Sequence, residues 1–231
     1  MKRALFLSFL LAFVSSVPVA AQSGDAAAYL ALTTTPTAAF APIASPVRFG
    51  EMGGGAVSFR YGQLSLETDH AIHHWGLTAD FPASTGRVGV TLGAATCDGC
   101  DALIMLGADW AKPLVRRSSD EGAVGIGLAS ALGLGLPTAD GDGFLLSGSL
   151  GLSFSAVGGK AGGPRIIPYV TPGVGFGTLT GDDGASGIRP MVAGGLGFAA
   201  ANGFGASAGF QHVPLEGGQM VVGVAVTIGG R

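Results

Sequence analysis

From Glu121 to Pro137 the chain reads EGAVGIGLASALGLGLP, with Val124, Ile126, Leu128, Leu132, Leu134 and Leu136 on one parity and Gly, Ala or Ser between them. Five glycines in that stretch exclude a helix, since each costs about 1 kcal/mol relative to Ala in a helix interior. A period of two is that of a pleated strand. The same alternation recurs along the chain and predicts ten strands, at 54–62, 73–82, 86–95, 102–112, 122–136, 143–156, 165–179, 187–200, 203–212 and 218–229. Turn clusters at close spacing separate them, as in a sandwich or barrel rather than in βαβ units.

The two faces of these strands differ in an unusual way. Large apolar residues share one parity, as in Val57, Phe59 and Tyr61, in Trp75, Leu77 and Phe81, and in Met220, Val222, Val224, Val226 and Ile228. Opposite them stand Gly, Ala, Ser and Thr. A soluble sandwich would show a charged second face to water, and none is present. The few strand charges, Arg60, Asp80, Asp109 and Arg189, fall on the small-residue face, with His74 and Gln211 beside them. Bulky groups turned to lipid and small or paired groups turned inward satisfy every position. Closure satisfies the backbone, because an open edge in hydrocarbon leaves amides unpaired at several kcal/mol each.

The expected architecture is therefore all-β, a closed antiparallel up-and-down transmembrane β-barrel of ten strands. Pro164, Pro168 and Pro172 remove ladder donors around the seventh strand, so an eight-stranded barrel with 53–81 partly outside remains the alternative. Arg60, Asp80, Asp109 and Arg189 are expected to pair across the lumen, where isolated charges are costly. Tight connections (STG, AANG) alternate with longer polar ones (TADGDG, TGDDGAS, VPLEGG), the asymmetry of bacterial outer-membrane barrels. The stretch Pro113 to Asp120, PLVRRSSD, is long for an inner turn.

The N-terminal region adds a compartment. Met1-Lys2-Arg3, an apolar run from Ala4 to Val14 and small residues up to Ala21 make a secretory signal peptide, 1–21, too short to span a bilayer as a helix. Residues 22–52, rich in Ala, Thr and Pro, are read as a linker or a plug, and 53–231 as the barrel. Charged residues are 12% of the chain, half the usual share, and 42 of 231 residues are Gly. A net charge of -3 argues against nucleic acid as a partner.

With these features in view, PYVTPGVGFGTL at 168–179 and MVAGGLGFAAANGFGASAGFQHV at 191–213 resemble the late hairpins of small outer-membrane β-barrels of the OmpA-like and OmpX-like kind. The resemblance implies location in the cell outer membrane, with outer-membrane lipid as the surrounding partner. Trp75, Trp110, Tyr61 and Tyr169 are then the candidates for the interfacial aromatic girdle.

Candidate chemistry is sparse. Cys97 and Cys100, in TCDGCD, are expected to form a disulfide stapling a loop tip in an exported protein. Asp69, His70, His73 and His74 gather imidazoles and a carboxylate, but His70 and His73 would share a face only on a helical turn, so no metal is expected. The acidic tips at Asp140, Asp142, Asp182 and Asp183 lack calcium-loop spacing and are read as polar turns. His212 is the best isolated base, with no nucleophile motif beside it, so no catalysis and no cofactor are expected. The resulting expectation is a non-enzymatic barrel, either a structural or surface component or a narrow pore for small solutes. A binding or adhesion module is the alternative, and an enzyme acting on lipid or peptide the weaker one. Inward residues such as Gly125, Gly127, Ala129, Ala131, Gly133 and Gly135 are too small to fill a cylinder. Water, an apolar ligand, or the segment around Tyr29, Leu30, Leu32 and Phe40 must occupy it. Water is favoured, because the charges sit more readily beside it.

Overall fold

The computed structural model describes residues 55–65, 71–84, 86–97, 102–119, 122–138, 143–159, 163–180, 185–213 and 219–229. The expected signal peptide and the segment 22–52 lie outside the described residues. The strands are β1 (Ala56–Ser65), β2 (Ala71–Ala83), β3 (Gly86–Cys97), β4 (Leu103–Ser119) and β5 (Gly122–Pro137), then β6 (Leu145–Gly158), β7 (Arg165–Leu179), β8 (Ala185–Ala199), β9 (Phe204–Val213) and β10 (Gln219–Gly229). Each pairs antiparallel with its sequence neighbours, and β1 pairs with β10, closing the barrel. The stretch from 53 to 81, set aside in the eight-strand alternative, supplies β1 and most of β2 and belongs to the wall.

The stagger of the wall follows from one register row. It runs from Arg116 on β4 through Gly125, Ser155, Tyr169, Gly195, Gly209, Gly223, Gly62, His74 and Ala95, and returns to β4 at Leu103. Return 13 residues along the same strand, one of them the bulged Leu114, sets a strand tilt within the roughly 35–45° of closed barrels.

Both chain ends of the barrel emerge at one end, where β2–β3, β4–β5 and β8–β9 are joined by tight turns. Gly203 sits there at φ 88°, a left-handed conformation that closes the Ala200–Gly203 turn at low steric cost. The stretch PLVRRSSD is not a loop. It continues β4 to Ser119, pairing only with β5, because the β3–β4 ladder begins at Arg87 opposite Ala111. Its outer edge has no pairing strand among the described residues. Pro113, the bulge at Leu114 and the cations Arg116 and Arg117 are the devices that keep such an edge from recruiting another strand. The prolines of β7 interrupt the ladder as expected: the β6–β7 register skips the residues around Pro172 and again around Pro168, while β7–β8 is continuous.

The molecule is inverted relative to a soluble protein. Val57, Phe59, Leu77, Leu92, Leu132 and Val224 face outward at 52–60% exposure, while Ser58, Arg60, His74, Thr78 and Gln211 face inward at 0–2%. Inward hydroxyls pair directly across strands, Ser58 Oγ with Thr227 Oγ1 at 3.0 Å and Thr78 Oγ1 with Thr91 Oγ1 at 2.6 Å. An Arg at Leu132 or at Val224, both mid-strand and outward, is expected to destabilise the barrel by about 2–4 kcal/mol in urea unfolding from lipid vesicles. Equal tolerance at both positions would contradict a lipid-facing wall.

Candidate functional site: the barrel lumen

Two strands carry the central feature of the lumen. Arg60 projects inward from the middle of β1, and Asp109 from β4, three strands away around the wall. The stagger brings them to similar depth, and Arg60 Nη2 lies 3.8 Å from Asp109 Oδ1 with both side chains buried. The span from β1 to β4 makes this a bridge across the interior rather than a contact along the wall. Asp80 is also inward and 4% exposed. Arg87, on the same face two positions from Gly89, is inward and 7% exposed. Arg87 escaped the sequence reading because it opens its strand. Its parity, opposite to Val88, Val90 and Leu92, was the signal that could have found it. Arg189 stands on the inward face of β8 nearer the loop end, where its Nη1 donates to the Ile188 carbonyl at 3.1 Å. Of the four charges expected in the lumen, the structure thus brings Arg60 and Asp109 into contact.

Room for these groups comes from glycine. Four successive members of the register row, Gly195, Gly209, Gly223 and Gly62, carry no side chain, and Tyr169 and His74 flank them. The Tyr169 hydroxyl lies over Gly195, 2.8 Å from where a Cβ would be, and the His74 imidazole occupies the space above Gly62. The Asp109 carboxylate lies over Gly89 in the same manner. Large inward side chains therefore fold flat across glycines of the adjoining strand. This corrects the placement of Tyr169 in the outer girdle: it is 6% exposed and inward, on the parity of Ile167 and Thr171. Among the described residues, the His74 ring nitrogens, the Tyr169 hydroxyl, the Gln211 amide and the Ser153 hydroxyl are buried without a protein hydrogen-bond partner.

The remaining candidates separate. His73 faces outward and its Nδ1 is 2.7 Å from the Tyr61 hydroxyl, whereas His74 faces the lumen, so the two imidazoles cannot share an ion. Among the described residues no group of three His, Cys, Asp or Glu is placed to hold a metal. Asp69, His70, Cys100 and the acidic pairs at 140, 142, 182 and 183 lie outside the described residues. Cys97 ends β3, and its expected bond to Cys100 falls with them. His212 stands on the outward parity of β9, opposite Val192 and Met220, with no hydroxyl or thiol among those register partners.

No protein-family description matches this sequence, and no curated protein does. Among solved structures the barrel is similar to the outer membrane enzyme PagL, at 15% identity over 75% of this chain and 98% of that one, with a TM-score of 0.38. It is similar to the N-terminal β-barrel domain of Pseudomonas aeruginosa OprF at 16% identity, over 74% and 95% of the two chains, with a TM-score of 0.31. The β domain of the Bordetella autotransporter Brka gives 14% identity, 75% and 98% coverage and a TM-score of 0.43. At these levels the likenesses carry no functional residue to this chain. The resemblance to small outer-membrane barrels rests on the closed antiparallel wall and its apolar outside.

Removing one member of the buried pair takes from the other its opposite charge across the lumen. Asp109→Leu is expected to cost about 3–5 kcal/mol in urea unfolding, and Arg60→Met with Asp109→Leu together less than that. Costs that simply add would contradict a direct bridge.

Proposed function

We propose that this chain is a non-catalytic structural and surface component of the outer membrane, with a lumen closed at mid-depth by its own side chains. One observation carries the reading: Arg60 and Asp109 meet across the interior, where Ala129, Ala131 and Ala193 are also buried, each 5% exposed or less, although Ser149, Ser155 and Ser207 on the same face keep partial access. A salt bridge spanning the interior narrows any path past it, which supports a closed lumen over the narrow solute pore that is the other reading. Buried polar groups such as His74 and Gln211 suit single bound waters, which is a narrower provision than a solute path.

The apolar outward band supports insertion in lipid, and the signal peptide expected at 1–21 would direct export. The surface role is supported by topology. The five connections at the end away from the termini carry Glu67, Asp69, Asp98, Asp101, Asp140, Asp142, Asp182, Asp183 and Glu216, and no Lys or Arg. The sequence of these connections is thus acidic, which suits the outer end of the barrel. No cofactor enters the reading, and His212 on the lipid side has no part in it.

Planar bilayers test the closed lumen. The wild-type barrel is expected to give no stable conductance steps, and Arg60→Ala with Asp109→Ala to produce them. Wild-type steps as large as those of the double variant would overturn the proposal in favour of a solute pore.

A further inference from the structure

The outside of a barrel is convex, yet this one has a groove. On its outward face, near the end where the termini emerge, a depression of about 750 Å³ lies over Ala156 of β6, walled by Val124 on one side and Pro168 on the other and bounded toward mid-wall by the row of Ile126, Phe154 and Val170. It continues into a second of about 590 Å³ toward Gly158, and the two share Arg117, Val124, Ala156 and Pro168. Its origin is local. The β6 positions that floor it are small, Ala156 and Gly158, between the bulkier outward residues of β5 and β7. The β6–β7 ladder lapses beside it, opposite Pro168.

The extension of β4 adds a charge. After the bulge at Leu114 the parity of β4 reverses, so that Val115 pairs with Ile126 and Arg117 with Val124, both on the outward face. Without the bulge, Arg116 would take the outward place and Arg117 would turn inward. Arg117 therefore stands at the rim of the groove on the terminal end, while the deeper part toward mid-wall is apolar, with Val170 44% and Phe154 40% exposed. Cationic at the interface and apolar toward the membrane interior is the polarity of a lipid molecule read from headgroup to chain. Arginine is well suited to a phosphate, which its fork of donors can meet in a bidentate way.

We infer that this groove is a binding site for a phospholipid of the leaflet at the terminal end, with its phosphate on Arg117 and one acyl chain over Ala156 between Val124 and Pro168, ending against Phe154. The inference rests on the membrane reading above and gives it a specific lipid partner. Charge complementarity and the depth order of the groove commit it to a phosphate-bearing lipid rather than to another polypeptide.

Native mass spectrometry of the full-length barrel released from detergent micelles tests the site, with palmitoyl-oleoyl phosphatidylglycerol as probe and the diacylglycerol of the same chains as the phosphate-free control. One phosphatidylglycerol retained per barrel is expected, and no diacylglycerol. Arg117→Gln, an exposed change that leaves the wall intact, and Ala156→Phe, which fills the floor, should each lower retention about tenfold, as loss of one charge-assisted contact does. No retained lipid, or retention unchanged by Arg117→Gln, overturns the site. Retention unchanged by Ala156→Phe overturns it too, since it reduces the contact to a surface charge. Vesicle reconstitution separates the two levels: a barrel that inserts but retains no lipid overturns the groove alone, and one that does not insert overturns the membrane reading.

Discussion

A strand crossing hydrocarbon has nowhere to place an unpaired amide, and in this chain that constraint organises the rest. It requires closure, which β1 and β10 provide, and it turns the usual order of a protein inside out. Once the outside is committed to lipid, the inside must accept every polar group the strands carry. The alternation of large apolar and small residues follows from that division of labour. The same constraint makes the lapse between β6 and β7 informative. A ladder broken by Pro168 and Pro172 is a weak place in a membrane wall, and it coincides with the outward groove at the terminal end.

The interior poses a second problem of geometry. A ten-stranded cylinder lined with Gly, Ala and Ser has space to spare, and the large polar residues that enter it, Arg60, His74, Tyr169 and Asp109, come mostly from one side of the wall. His74, Tyr169 and Asp109 lie over glycines of neighbouring strands, and Arg60 reaches to Asp109. Gly62, Gly89 and Gly195 are thus packing partners of specific side chains, and a Cβ at any of them would meet the group that lies there. At these three places the small residue is the complement of a large one.

Much of the fold was legible in the sequence because a two-residue period needs no knowledge of partners. All ten strands, and the outward placement of Val57, Trp75, Leu132 or Val224, could be read from parity. What failed depended on register or on a break in parity. The end of β4 looked like a loop because Pro113 and the bulge at Leu114 interrupt its alternation, and only pairing with β5 reveals it as an edge strand. The glycine row from Gly195 to Gly62 spans four strands and has no signature within any one of them. Within the lumen, Arg60 and Asp109 were identifiable as inward charges, while their meeting is a consequence of stagger. Tyr169 was assigned to the girdle by residue type, although the parity of its own strand turns it inward.

The central claim is that one parity of each strand faces lipid and the other a closed interior. Spin labels placed singly from Val221 to Val226 on β10, in a background with Cys97 and Cys100 replaced by Ser, measure this directly in reconstituted vesicles. The account predicts collision with lipid-soluble oxygen at 222, 224 and 226, and low accessibility to both oxygen and a water-soluble nickel complex at 221, 223 and 225. Accessibility of the even positions to the nickel complex would contradict it.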